Sequence, residues 1–304
     1  MKKRMKILLA YDGSDCAKAA LDDIRNAGLP TEAEAIVLAV AENWMPPPSS
    51  YAILGSNYAV DTKEHLKDLH DEIEGVASQL KTYFPNWTVS TQVLTGSPAR
   101  EIVEAAELQE VDLIIVGSHG RSALGRFILG SVSSKVVTEA HCPVRIARGR
   151  VNEEDSPVLR LIIGFDASHS SVAAVYSVAS RNWPANTEVK LLTVQYPISP
   201  AASDHMLYAV AKWVKEERQR IKDGALEAQR ELERAGLKAT AEILEGEAKN
   251  LICEEAERWG ADCIFVGAHN QSKIDRFMLG SVSAAIAARA HCSVEVIHTP
   301  SKQN

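Results

Sequence analysis

The chain has 304 residues, enough for two domains of about 150 each at usual domain sizes. Hydrophobic residues make up 46%, charged residues 24% and aromatics 6%, a balance that excludes disordered and collagen-like chains and fits a globular α/β protein. The formal net charge of −7 leaves no basic surplus to neutralise a phosphate backbone, which argues against a nucleic-acid partner.

No apolar run approaches the ~20 residues that cross a bilayer, and the basic start at Met1–Arg4 leads into a short apolar stretch that soon meets Asp12 and Asp15. A cytoplasmic protein without membrane association is therefore expected. Cys16, Cys142, Cys253, Cys263 and Cys292 form an odd set with no C-x-x-C pair, so reduced thiols are expected. His141-Cys142 and His291-Cys292 each precede an expected strand, where neighbouring side chains point to opposite faces, and no metal site is assigned to them.

In chain order, β-branched runs place strands at Met5–Ala10, Ala35–Val40, Val89–Leu94, Asp112–Val116 and Val144–Ala147. Apolar residues at three- and four-residue spacing place helices at Asp15–Asn26, Tyr58–Tyr83 and Ala99–Leu108, with Ser97-Pro98 as an N-cap followed by proline, and Ser131–Glu139 supplies a fourth. Continuous runs such as Leu113-Ile114-Ile115-Val116 suit strands covered on both faces, so a doubly wound parallel sheet is expected.

The second half repeats the first. Val116-Gly117-Ser118-His119-Gly120 returns as Val266-Gly267-Ala268-His269-Asn270, and Arg126–Ser133 returns as Arg276–Ser283, both at an offset of 150. The same offset relates Tyr58-Ala59-Val60 to Tyr208-Ala209-Val210, whereas near the start an offset of 154 relates Asp12 to Asp166 and Val40 to Val194. The difference is assigned to the loop at Trp44–Ser50, which faces a shorter Tyr196–Pro200. Two domains follow, at 1–149 and 157–300, joined by the polar segment Gly149–Pro157. Lys212–Arg234 reads as a surface helix burying Val210, Trp213, Val214, Ile221, Ala225, Ala228 and Leu232.

Ligands of open α/β sheets lie outside the carboxyl ends of the strands, near the point where the winding reverses. Asp12-Gly13-Ser14 follows the first expected strand, and Gly117 closes the fourth. The segment Gly117–Ser133 is a glycine loop ending at a helix start, where close backbone approach and exposed N–H groups favour an anion such as phosphate. Ser131 and Ser133 are candidate hydroxyl donors, and Arg121 or Arg126 candidate cations. No G-x-x-x-x-G-K-[ST] occurs, and no G-x-G-x-x-G follows the first strand. His119 is read as an exposed loop histidine without a catalytic partner, and Asp12 as either a ligand contact or a helix cap.

The spacing G-x2-G-x9-G-S, from Gly117 through Gly120 to Gly130-Ser131, with Asp12 after the first strand, resembles the universal stress protein family, here as two tandem copies. The resemblance implies an adenine nucleotide alpha hydrolase-like fold with strand order 3-2-1-4-5 in each copy. It also implies ATP as the bound adenine nucleotide, with Mg2+ as an open accompaniment. Carried onto this chain, Asp12 and the backbone of Val40 lie at the adenosine end. Gly117, His119, Gly120, Arg121, Gly130, Ser131, Val132 and Ser133 surround phosphates and ribose. The second-half counterparts are Asp166, Val194, Gly267, Gly280, Ser281, Val282 and Ser283, but Asn270, Asp275 and Ala167 replace Gly120, Gly125 and Gly13, so the first half is expected to hold the stronger site. The resemblance further implies pairing through the fifth strands, which one chain would satisfy internally, with two chains free to associate further. The functional expectation is a stress or signalling module that responds to ATP and acts on an unidentified protein partner. A slow ATP hydrolase and a scaffold with a vestigial loop are the alternatives.

Overall fold

A computed structural model describes residues 3–42, 57–120, 129–149, 158–196, 204–268 and 279–299. The chain divides into two compact units. The first contains β1 (Met5–Ala10), α1 (Asp15–Asp23), β2 (Ala33–Glu42), α2 (Asn57–Tyr83), β3 (Thr88–Gly96), α3 (Pro98–Leu108), β4 (Leu113–Gly117), α4 (Ser131–Glu139) and β5 (Val144–Ala147). The second contains β6 (Arg160–Gly164), α5 (His169–Ala179), β7 (Glu188–Gln195), α6 (Asp204–Arg234), β8 (Lys238–Glu245), α7 (Ala248–Trp259), β9 (Cys263–Gly267), α8 (Ser281–Arg289) and β10 (Ser293–Ile297). The expected linker 150–157 and the loop 43–56 lie outside the described residues.

Within the first unit the strands run parallel in the order β3-β2-β1-β4-β5, and within the second in the equivalent order β8-β7-β6-β9-β10. This is the doubly wound 3-2-1-4-5 arrangement expected from the sequence. Ile7, Leu8 and Leu9 on β1 and Leu113, Ile114 and Ile115 on β4 are fully buried, because helices cover both faces of the sheet. Helix α1 is capped by Ser14, whose Oγ accepts the Ala17 N–H at 3.1 Å. It ends at Asp23 and tightens into a 3-10 turn over Ile24–Asn26, so the helix expected through Asn26 loses its last α turn. Ser97 occupies the cap of α3 but makes no side-chain capping bond; Pro98 supplies the preset helical φ there.

Two details depart from the sequence reading. The buried faces of α2 and α6 are related by an offset of 152, not 150, since Ile73, Val76 and Leu80 match Ala225, Ala228 and Leu232. The length difference is thus shared between the β2–α2 loop and the turn after the helix, because a helix can slide by residues only where both its ends are loops. Trp213, expected on the buried face of α6, is 65% exposed.

A buried ion pair ties α1 to β5. Arg145 Nε lies 2.6 Å from Asp23 Oδ2 and Arg145 Nη2 lies 3.2 Å from Asp23 Oδ1, with the two side chains 1% and 9% exposed. The second unit builds its own pair with the polarity of the strand residue reversed, as Glu295 on β10 meets Arg181. Removing one member of such a pair strands the other charge in a low dielectric. Asp23→Ala is therefore expected to destabilise the first unit by about 3–5 kcal/mol, read as a lowered urea midpoint, whereas an unchanged midpoint would show the pair to be solvated.

Candidate functional site

The winding of the first unit reverses at β1, between β2 and β4, and the carboxyl ends of these strands converge there. Asp12 follows β1 and folds back so that its Oδ1 accepts the Ser14 N–H at 3.0 Å, an Asx turn that sets the entry to α1. Ser14 takes the capping role, so Asp12 does not cap α1, and its carboxylate is exposed and lines the cavity beyond. Ser14 Oγ also donates to the His119 carbonyl at 3.3 Å, tying this turn to the loop after β4.

That loop approaches α1 as closely as a backbone can. A Cβ on Gly117 would stand 2.9 Å from Cys16 C and 3.1 Å from Ala17 N, so only glycine fits where β4 passes the first turn of α1. Gly130 returns beside His119, where its N–H donates to the Ser118 carbonyl at 2.9 Å, and it caps α4 with no side-chain bond to the first turn. The first-turn N–H groups of α4 have no partner within the helix and point outward, as an anion requires. Ser131 is exposed there and Val132 half-buried. Ser133 is buried, and its hydroxyl donates to Gly117 C=O at 2.7 Å, so it braces the loop and its proton is not offered to a ligand, a correction to the donor role expected of it.

These elements surround a cavity of about 500 Å³. Its lining includes the apolar Leu38, Val40, Leu69, Pro98 and Ile102, the polar Glu42 and His65, and, from the turn after β1 and the loop after β4, Asp12, Gly117, Gly120, Gly130, Ser131 and Ser133. Gly120 faces Asp12, whose Oδ2 would lie 3.0 Å from a Cβ there. As β1 ends, the Tyr11 N–H donates to Leu38 C=O at 2.9 Å. Val40 is two residues further along β2, so its N–H and C=O turn toward the side that β1 has left. Leu38, Leu69 and Ile102 were legible in the sequence only as core positions, since a residue lining an apolar slot follows the same periodicity as one packed in a core.

His119 is buried, not exposed as expected: 9% of its surface is accessible. Its Nδ1 lies 2.9 Å from Ser118 Oγ and 3.9 Å from Cys16 Sγ, while Nε2 is buried without a hydrogen-bond partner. Burial, then the charge of Arg148, pushes the imidazole below its ordinary value, which keeps it neutral. Arg121 and Arg126 lie outside the described residues.

The second unit repeats the framework with changes. Asp166 Oδ1 accepts the Ser168 N–H at 2.9 Å, Phe165 N–H donates to Leu192 C=O ahead of Val194, and Ser283 Oγ donates to Gly267 C=O at 2.5 Å. Gly267 packs against α5, where a Cβ would stand 2.8 Å from Ser170 C, and Gly280 caps α8 ahead of Ser281 and Val282. Ala167, in place of Gly13, is held at φ 57°, a left-handed conformation that costs a non-glycine residue about 1–2 kcal/mol. Arg220, paired with Glu217 at 2.6 Å, also feels the Asp166 carboxylate, so that charge has a protein counterion nearby. His269, Asn270 and Asp275 lie outside the described residues. Among the described residues, no group of three or more His, Cys, Asp or Glu side chains could hold a metal ion, and no helix is long and apolar enough to cross a membrane.

The sequence profile of the universal stress protein family matches residues 3–148 and 158–298. A universal stress protein of Thermus aquaticus is 37% identical over 142 residues, covering 47% of this chain and 97% of the relative. One from Mycobacterium bovis is 25% identical over 315 residues and spans 97% of both chains. Among solved structures, a universal stress protein from Archaeoglobus fulgidus shares the fold, with a TM-score of 0.63 at 20% identity over 98% of this chain and 97% of that one.

The lowered His119 value sets a pH dependence. As pH falls through about 6.5, the unfolded chain takes up a proton at His119 that the folded chain refuses, so this contribution to stability is lost below that pH and levels off beneath the folded value. Chemical denaturation at a series of pH values is expected to show stability falling on acidification through this window, and His119→Gln to flatten the fall. A His119 imidazole that titrates by NMR above 6.5 would contradict the burial argument.

Proposed function

Because the chain belongs to the universal stress protein family, in both of its halves, we propose that its first unit binds ATP and acts as a stress or signalling module responding to that nucleotide. The observation that carries this reading is the cavity itself, which is lined by apolar Leu38, Val40, Leu69 and Ile102 and by a glycine loop at the uncapped start of α4. An adenine ring packs against Leu38, Leu69 and Ile102, with the main chain of Val40 beside its polar edge and the Asp12 carboxylate toward the ribose. The triphosphate lies along Gly117, His119, Gly120 and Gly130–Ser133, where helix N–H groups complement its charge, and Arg121 adds a cation. Mg2+ would arrive with the phosphates and hold most of its ligands as phosphate oxygens and water.

The second unit is the weaker site. Asn270 in place of Gly120 adds a side chain to the loop, the Asp275 carboxylate in place of Gly125 repels a polyphosphate, and Arg220 compensates the Asp166 carboxylate that a ribose would meet. A protein partner that reads the nucleotide-bound state belongs to the same proposal.

Calorimetric titration of nucleotide-free protein with ATP is expected to give one tight site per chain. Asp12→Asn keeps the Asx-turn acceptor but removes the charge, and is expected to weaken that site by about tenfold or more, the scale of a hydrogen bond to a charged group at about 1.5–3 kcal/mol. Asp166→Asn leaves the tight site within about twofold. Two equal sites would overturn the asymmetry, and no heat with any adenine nucleotide would overturn the binding reading.

A further inference from the structure

The second unit holds a cavity of about 480 Å³ in the groove between α5 and α6. The buried Phe165 and Val175 line it from the core, and the half-buried Val172 and the exposed Tyr176 line it from α5. Gly224, in the middle of α6, completes the apolar lining. Glycine is the poorest helix former after proline, so its place inside a long helix calls for a reason. Close packing is not that reason: a Cβ there would stand 3.5 Å from Ala167 Cβ and 3.6 Å from the Phe165 ring, which are ordinary contacts. What glycine secures is the open space beside Phe165.

The first unit treats the same groove differently. Lys18, Asp22 and Glu72 stand there in place of Val172, Tyr176 and Gly224. Tyr83, near the end of α2, donates to Asp22 Oδ1 at 3.1 Å and has the Arg25 guanidinium 4.9 Å from its ring centre, so polar contacts bridge α1 and α2. Ala235 takes the place of Tyr83 in the second unit and cannot make that bridge. Three charged side chains have thus given way to two apolar ones and a glycine, although Tyr176 leaves 58% of its surface in water and gains little burial from the change. Carboxylates collect beside this apolar lining: Glu227 and Glu231 replace Gly75 and Gln79, while Asp223 matches Asp71. Asp223 accepts from Gln219 at 2.8 Å and Glu231 pairs with Arg234 at 2.9 Å, whereas the exposed Glu227 has no hydrogen bond or ion pair among the described residues. Arg220 also lines the groove, but Glu217 holds it at 2.6 Å.

We infer that this groove is a second ligand site, one that takes a small aromatic molecule carrying an ammonium group. Its volume lies within the roughly 300–1,000 Å³ of small-molecule pockets. The ring of such a ligand packs against Phe165, Val172, Val175 and Tyr176, and the two aromatic side chains attract a cation held near their faces. The ammonium group meets Glu227, the carboxylate that the protein leaves without a partner among the described residues, in a charge-assisted hydrogen bond. Three carboxylates against one guanidinium in the lining select a cation and reject an anion, the opposite preference to that of a phosphate loop. The site is built from α5, α6 and the turn after β6 of the second unit, and it does not rest on the nucleotide reading of the first.

The test titrates the full-length protein, isotope-labelled at its methyl groups, with phenethylamine, which is protonated at neutral pH. Phenethyl alcohol and phenylpropionate, which carry the same ring on a neutral and an anionic head, are titrated in parallel. The amine is expected to shift the methyl resonances of Val172, Val175 and Ala228 saturably, the alcohol to bind about tenfold more weakly, and the carboxylate not to bind. Gly224→Leu fills the space beside Phe165 and is expected to weaken the amine at least tenfold. Glu227→Gln changes an exposed side chain without disturbing the fold, and is expected to bring the amine down to the affinity of the alcohol. An amine that shifts none of these methyls, three ligands bound equally, or an amine affinity unchanged in Glu227→Gln would overturn the inference. A dimer seen by sedimentation in the wild type and lost in Gly224→Leu would also overturn it, by assigning the groove to a contact between copies of the chain.

Discussion

The contact between the end of β4 and the first turn of α1 sets the position of everything at the carboxyl edge of the first sheet. With 2.9 Å between a would-be Cβ at Gly117 and the Cys16 backbone, any side chain there would push the helix away from the strand. Because the approach is that close, the start of α1 and the loop leaving β4 share one network: Asp12 shapes the turn, Ser14 caps the helix and reaches the His119 carbonyl, and Ser133 bonds back to Gly117. The second unit keeps the same contact at Gly267 against Ser170, and with it the same Asx turn and the same serine brace. A packing constraint at one glycine thus fixes the geometry in which a helix start, a glycine loop and a carboxylate face one cavity.

The tandem arrangement offers an internal comparison, since the two units hold the same framework and differ in what lines it. The first keeps glycine where the chain turns left-handed after β1, and places thiol, hydroxyl and imidazole together behind the loop. The second accepts strain at Ala167, sets Arg220 near Asp166 and has no thiol at the matching position. Preserved framework with altered lining is what a fold under pressure to stay folded, but not to bind equally at both sites, would retain.

Much of this was legible in the sequence because its signals are local. Runs such as Ile7-Leu8-Leu9 and Leu113-Ile114-Ile115 announce strands buried on both faces, and the spacing from Gly117 to Ser131 places a loop at a helix start whatever the tertiary context. What the sequence hid depends on distance in space. A two-residue slide between α2 and α6 leaves the motifs on either side unshifted, so only the buried positions reveal it. Leu69 and Ile102 obey the helical period of a core while lining a cavity, and His119 reads as a loop residue until Ser14, Cys16 and Gly130 are seen to enclose it. Trp213 fails in the opposite direction: its apolar period suggests burial, yet it is exposed, showing that periodicity reports a face and not what covers it.

The proposal that the first cavity holds a nucleotide is tested most directly by what the protein carries. Protein purified without added nucleotide would be denatured and the released small molecules identified and quantified by mass spectrometry against the amount of chain. The account predicts about one adenine nucleotide per chain, as expected when the ligand is present well above its dissociation constant. Protein that releases none, and takes up none after incubation with ATP and Mg2+, would contradict it.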